Sequence, residues 1–361
     1  MKFSSPQKEI YSKDQYTALE AQRLAQEIVF APIVFQVSRL MKKFGVFQML
    51  NESKNGLTMD EIIEKTKLSR YAVQVLLESS LTIGTVLVQD GKFTLGKAGW
   101  YLIHDEIAMV NMDFNHDVNY LGMFHLEEAL LQGKPEGLKV FGDWSTIYEG
   151  LSQLEPHVQK SWFGFDHYYS DNSFEQALEI VFKNNPKTLL DVGGNTGRWA
   201  LQCVTHSDTI QVTIMDLPQQ LAMMKEQTQD NPNSNRIGGH AANLLDKSTV
   251  FPEGFDAIWM SQFLDCFSEE EVTSILSRAA KSMDNSSKLY IMETLWDRQR
   301  YPTASYCLAQ ISLYFTAMAN GNSKMYHSED MLRCIEKAGL AVETIHDNLG
   351  FGHCIVQCKK V

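Results

Sequence analysis

The stretch TLLDVGGNTGRWALQ, residues 188–202, decides how the rest of the chain is read. An apolar run closes on an acid, Asp191, passes through a glycine-rich turn and continues into a helical pattern. Turns of this kind let the backbone come close to a nucleotide-like ligand, and the residues narrow down which one. A dinucleotide fingerprint needs G-x-G-x-x-G, and Asn195 stands where its second glycine belongs. A P-loop needs Lys after its last glycine, whereas Gly197 is followed by Arg198 and Trp199. Both common phosphate cradles are therefore disfavoured.

Outward from this turn, apolar segments TLLDV, QVTIMD, FDAIWM and KLYIME alternate with helical stretches such as 217–229 and 268–283. That alternation predicts an α/β fold with a mostly parallel sheet and helices on both faces. Ligands of such sheets sit beyond the carboxyl ends of the strands. Asp191, Asp216 and Glu293 lie at strand ends, and Asp265 lies a little past another. A carboxylate at Asp216 can accept both hydroxyls of a ribose, so the ligand is nucleoside-like and needs no phosphate.

Towards the N-terminus, LTMDEIIEKTKL and SRYAVQVLLESSLTIG read as two helices, the second capped by Ser69 and stopped at Gly84. TVLVQDGKFTLG reads as a hairpin turning at Asp90-Gly91. Helix, turn, helix and hairpin make a winged helix. Its Lys and Arg residues are matched by Asp and Glu, which argues for a structural or dimerising role and against DNA. The preceding apolar segment EIVFAPIVFQV must be covered, by its own domain or by a second subunit, and Pro32 is expected to kink or split its helix. Residues 105–180 are mostly helical and rich in aromatic side chains; with His116, His125 and His167 among them, part of this layer is expected to line a pocket.

The segments LLDVGGNTG, IMDLP, FDAIWMSQFLDCFSEEEVTSILSRAAKSM and KLYIMETL together resemble the small-molecule O-methyltransferases that use S-adenosylmethionine, both the plant caffeate type and the bacterial polyketide-tailoring type. The likeness extends over nearly the whole chain. It implies a Rossmann-like class I methyltransferase domain at 109–361, including the helical substrate-lining layer, preceded by an α-helical winged-helix dimerisation domain at 1–108. It implies a homodimer and a methyl group passed to a hydroxyl of a small aromatic or polyketide-like acceptor. Matched residue by residue, it assigns cofactor binding to Asp191, Gly193, Gly194, Asn195, Gly197, Asp216, Leu217, Asn243, Leu244, Ser261 and Gln262. Asn195 replaces a glycine there, and Asn is the residue that best tolerates positive φ after glycine. The acceptor pocket is expected to include His116, Trp162, Phe165, His167, Tyr169 and Phe263.

The chain departs from the family where the chemistry is. Asp265 stands at the position of the family's His base, and Cys266 replaces the Asp that follows it. Glu293 matches a carboxylate that orients the base, and Met325 falls at the second such position. The catalytic candidates are thus Asp265 and Glu293, with no metal. A carboxylate near pKa 4 is a weak base for a phenol near 10, and burial would strengthen it. Three readings stay open: Asp265 is the base, one of His116, His125 and His167 has taken over, or alignment alone suffices. Rivals to the whole reading are a relative running decarboxylation or hydroxylation, and a ligand-sensing winged-helix regulator.

Composition fits this picture. The net charge of −12 argues against a broad nucleic-acid surface. The opening MKFSSPQKEIYSKDQ lacks the apolar core of a secretory signal, and no unbroken apolar run nears the roughly 20 residues of a membrane span. The six cysteines contain no C-x-x-C and read as free thiols, which suits a cytoplasmic protein.

Overall fold

The structure, a computed structural model, describes residues 10–361; the side chains of Ile10, His167, Tyr169, Ser170 and Asp171 lie outside that description. Two compact units result: Lys13–Asp117, and Val118–Val361 together with Ile10–Ser12.

The N-terminal unit opens with α1 (Ala18–Lys43), held at its start by a capping box between Thr17 and Glu20. The helix runs on through Pro32 and is not split there. The carbonyl that loses its helical partner belongs to Ile28, which is 65% exposed, so water can take the missing place. By length and composition α1 is also apolar enough to cross a membrane, with a mean hydropathy of 1.3 in its most apolar window. This corrects the expectation from unbroken runs, because a few dispersed polar residues interrupt the run without lowering the average much. After α2 (Val46–Glu52) come α3 (Met59–Thr66) and α4 (Arg70–Thr82), capped by Thr58 and Ser69. Strands β1 (Val86–Gln89) and β2 (Lys92–Leu95) form the hairpin, turning at Asp90 and Gly91, both with positive φ as a tight type I′ turn requires. Phe47, Ile62, Val73, Leu77, Val86 and Phe93 join in one core beneath these elements. Arg70 is paired with the Asp60 carboxylate. The unit closes with α5 (Lys97–His104) and α6 (Glu106–Phe114). The boundary expected after residue 108 falls inside α6, whose helical pairing continues past it.

The second unit begins with helices: α7 (Leu126–Gln132), α8 (Ile147–Gly150), α9 (Pro156–Asp171) and α10 (Phe174–Val181). Alternation follows, with β3 (Thr188–Val192), α11 (Arg198–His206), β4 (Gln211–Asp216), α12 (Pro218–Thr228), β5 (Ile237–Ala241), β6 (Ala257–Ser261), α13 (Glu269–Ser282) and β7 (Lys288–Glu293). The chain ends with α14 (Pro302–Tyr314), α15 (Ser328–Lys337), β8 (Leu340–Leu349) and β9 (His353–Lys360).

The sheet order is β5-β4-β3-β6-β7-β9-β8, parallel except at β9, which runs antiparallel to both its neighbours. The inner strands are buried on both faces, as their unbroken apolar text demands. Leu190, Val192, Ile258, Met260 and Ile291 pack on one side. Leu189, Ile214, Trp259, Tyr290 and Met292 pack on the other. From β3 the chain proceeds outward to β4 and β5, then returns to the other side of β3 as β6. The strand order therefore reverses between β3 and β6, and a crevice opens beyond their carboxyl ends, the usual ligand position in such sheets.

Candidate functional site

Two turns meet at this crevice. The first follows β3. Gly193 (φ +73°) and Gly197 (φ +83°) take left-handed backbone, and so does Asn195 at +49°. The amide of Gly193 donates to the Met215 carbonyl at 2.9 Å, tying the turn to β4. No side chain fits here: a Cβ on Gly193 would lie 2.3 Å from the Phe263 ring, and one on Gly194 would lie 2.5 Å from Oδ2 of Asp191. At the end of β4, Asp216 accepts the amides of Asn195 at 2.9 Å and Leu217 at 2.7 Å, so its carboxylate faces the turn.

The second turn follows β6. Gln262 also has positive φ (+44°), and its amide donates to the Met292 carbonyl at 2.9 Å. Asp191, Gly193, Gly194, Asn195, Ser261 and Gln262 line one cavity of about 110 Å³, beside Phe174, Thr196, Trp199 and Trp259. The last two rings stack with centroids 4.3 Å apart. Trp199 and Trp259 were present in the quoted segments but not singled out, since an apolar ring in a strand or helix reads first as core.

Three buried acceptors stand in or near this crevice, Asp191 and Gln262 in its lining and Glu293 at the end of the neighbouring strand. Asp191 Oδ2, Gln262 Oε1 and Glu293 Oε2 have no hydrogen-bond partner among the described residues. Burial, and then the charge of Asp216, push Asp191 up to about 8. Burial raises Asp216 as well, against the pull of its two amides. A set of acceptors and acids around a backbone cradle calls for a ligand with hydroxyls and positive charge. S-adenosylmethionine has a ribose, an ammonium and a sulfonium, and it fits that donor set; a phosphate does not.

Beyond Gln262 the chain makes a short turn that carries Asp265, 5% exposed, next to Glu293 at the end of β7, 3% exposed. Glu293 Oε1 accepts the amides of Phe263 at 3.1 Å and Leu264 at 2.8 Å, so this carboxylate holds the backbone just before Asp265. Burial pushes Asp265 up to about 7. Glu293 is raised well above the ordinary carboxylate range, by burial first and by Asp265 second. The turn is anchored on its far side too. Asn320 donates to the Cys266 carbonyl at 2.5 Å, and the Tyr326 hydroxyl donates to the Phe267 carbonyl. Met325 is buried, and its thioether accepts the Thr294 hydroxyl at 3.3 Å. Ser268 and Glu271 form a capping box on α13, so the helix start needs nothing from Asp265.

Some expected site residues stand elsewhere. Leu244 is packed in the apolar core with its side chain 8% exposed, because its segment turns inward to close the layer beside Phe251. Asn243 is exposed, and its Oδ1 accepts the Leu245 amide at 3.0 Å, which commits that oxygen to its own turn. Leu217 is 42% exposed at the start of α12. Among the acceptor-pocket residues, Phe263 covers Gly193, and Trp162 is buried with its indole donating to the Tyr314 hydroxyl at 2.7 Å. Phe165 is partly buried on α9. His116 belongs to the N-terminal unit, with Nδ1 3.5 Å from the Gln36 amide nitrogen. His125 pairs with Glu128 at 3.1 Å. The side chains of His167 and Tyr169 lie outside the described residues. Residues not foreseen at this end are Tyr148, Tyr314 and Asn320, which distant elements bring to the turn.

A reversing parallel sheet with a glycine-rich turn after its first strand and acids at or near the strand ends is the architecture of the class I methyltransferase fold. The family model for the O-methyltransferase domain matches residues 124–340, and that for a Dimerisation2-like domain matches residues 22–93. The chain belongs to the O-methyltransferase-domain family and is an S-adenosylmethionine-dependent methyltransferase. It is similar to the L-tyrosine C(3)-methyltransferase of Streptomyces lavendulae, with 22% identity over 88% of this chain and 86% of that protein. It is also similar to the caffeic acid 3-O-methyltransferase of Medicago sativa, with 26% identity over 76% of this chain and 77% of that one. Among solved structures, the S-adenosylmethionine-dependent methyltransferase SibL in its apo form superposes with a TM-score of 0.71 at 21% identity, covering 92% of this chain and 98% of that one.

Proposed function

We propose that the protein transfers a methyl group to the hydroxyl of a small phenolic acceptor, with Asp265 taking the proton. One observation carries the reading: a buried acid lies beside a second buried acid at the rim of the cofactor cradle, with its pKa pushed up to about 7. When bound, S-adenosylmethionine supplies an electrophilic methyl on a sulfonium. The chain's task is then to align a nucleophile and relieve it of a proton. Two adjacent carboxylates repel, and near neutrality they share one proton. Burial raises both acids, so the pair carries a single charge that can take up the acceptor's proton at Asp265. Glu293 also fixes the turn through the Phe263 and Leu264 amides, which holds Asp265 in place. On the cofactor side, Asp216 and Asp191 provide acceptors for hydroxyls and ammonium. The aromatic groups near Asp265, Tyr148 and Tyr314 among them, support an aromatic acceptor. Incubation with methyl-labelled cofactor and a panel of phenols should move label onto oxygen. Cofactor-product binding without label transfer to any phenol would contradict the reading; label appearing on ring carbon would favour the chemistry named for the Streptomyces relative.

The N-terminal unit supports a homodimer. Ile28, Val29, Phe30 and Ile33 of α1 are each at least half exposed, which is a large apolar surface to leave on water. They fall within the segment matched by the dimerisation model. Light scattering should give twice the chain mass at micromolar concentration, and a dilution-independent monomer would rule the dimer out. Cytoplasmic residence is the companion inference, supported by six free cysteines, four of them buried. Recovery of the chain with membranes on cell fractionation would overturn it.

A further inference from the structure

We propose that Tyr148 and Cys266 form a hydrogen-bond relay that sets the protonation of Asp265, so that both are positioning residues for the proton acceptor. The inference rests on Asp265 being that acceptor. The Tyr148 hydroxyl, on α8, donates to Cys266 Sγ at 3.1 Å. Cys266 Sγ in turn lies 3.5 Å from Asp265 Oδ1, with the thiol as donor. A thiol has a single proton. Once its sulfur accepts from the tyrosine, that proton is left to point at the carboxylate, and polarisation along the chain strengthens the second bond.

Apart from the thiol, the charge of Asp265 is supported by backbone amides of its own turn, those of Asp265 and Cys266. Asp265 faces the carboxylates of Glu293 from β7 and Asp166 from α9, and the phenols of Tyr148, Tyr314 and Tyr326. Burial first, and then the Asp166 carboxylate, push it towards the neutral form. Burial keeps Cys266 protonated far into the alkaline range, so across the working pH it acts as a donor and adds no charge. A carboxylate at 266 would do the reverse, placing another acid against Asp265 and raising it further. Asp265 and Cys266 therefore work as a pair: an acid serves as proton acceptor here because its neighbour is a neutral donor. The anchoring of the same turn by Asn320 keeps the thiol within reach.

The sign follows. A donor to the ionised carboxylate lowers its pKa, so removing the donor raises it. Isotope-edited infrared titration of aspartate-labelled protein, saturated with S-adenosylhomocysteine, reads Asp265 directly once its band is assigned by its loss in Asp265→Asn. In Cys266→Ala the midpoint should rise by about half to one pH unit, and in Tyr148→Phe by less, both within the range environments impose on carboxyls. Cys266→Ser, which restores a donor, should return it close to the starting value. The acid limb of kcat/KM on an accepted phenol should move with the midpoint. An unmoved midpoint in Cys266→Ala overturns the relay; if that variant does not fold, an unmoved midpoint in Tyr148→Phe does so. Failure of the base assignment is a separate result, namely Asp265→Asn retaining turnover while the infrared midpoint still shifts in Cys266→Ala.

Discussion

At the end of β3 the site is made of backbone, and at the end of β6 it is made of side chains. The first turn works through φ angles and amides: Gly193, Asn195 and Gly197 adopt left-handed conformations, and Asp216 clasps the Asn195 amide. Replacing one glycine by Asn costs little there, since the requirement is conformational and Asn meets it. The second turn works through titratable groups, and the same chain position with a different side chain means a different proton acceptor. On the proposed assignment, Asp265 where the resemblance expects His, with Cys266 beside it, changes the proton acceptor, whereas Asn195 in place of glycine keeps the left-handed turn.

The contrast can be broken at its strongest point first. Gly193→Ala puts a Cβ 2.3 Å from the Phe263 ring at φ +73°. Strain and overlap together should reach a few kcal/mol, so calorimetry with S-adenosylhomocysteine should show at least a 100-fold loss of affinity. Retained binding would mean that the cradle yields more than a backbone-built site can. Asp216→Ala removes a charged acceptor and leaves the Asn195 and Leu217 amides unpaired; affinity for the same ligand should drop about 10- to 100-fold, a few kcal/mol at most. An unchanged value would remove Asp216 from the ribose end. The smallest effect belongs to Asn195. Glycine there should be nearly neutral, whereas alanine should cost about 1 kcal/mol of stability, visible as a lower Tm. If alanine were as good as glycine, the positive φ would not be what selects this residue.

Much of this was legible in the text of the chain because of how it was written. TLLDV, QVTIMD and KLYIME match strands end to end, since buried parallel strands are apolar on both faces. The Asp90-Gly91 hairpin and the Ser268-Glu271 capping box are local signals and needed no tertiary help. β5 was missed: Ile-Gly-Gly-His-Ala has two glycines and little strand propensity, and its pairing with β4 makes it a strand. The split expected at Pro32 does not occur, because a helix can carry a proline where the bond it removes faces water. Asp191, Asp216 and Glu293 stood out as acids at strand ends, and Asp265 as an acid a little past another. Tyr148, Tyr314 and Asn320 did not, since nothing in the sequence around them says that their helices deliver them to the 264–267 turn. Leu244 sends its side chain into the core, a choice between two faces that short apolar text leaves open.

The central claim is that burial beside Glu293 has made Asp265 a competent base in place of a histidine. It is tested most directly by following kcat/KM of the wild type and Asp265→Asn from pH 5 to 9 on an accepted phenol, with S-adenosylhomocysteine affinity measured alongside. Asp265 is active as the carboxylate, so wild-type activity should fall as pH drops through about 7. Asp265→Asn should lose about 100-fold or more and show no such limb, as loss of a general base entails. Its affinity for S-adenosylhomocysteine should stay the same, because the cradle is built from other residues. Near-normal turnover in Asp265→Asn, with the acid limb still in place, would contradict the account and hand the proton to another group or to solvent.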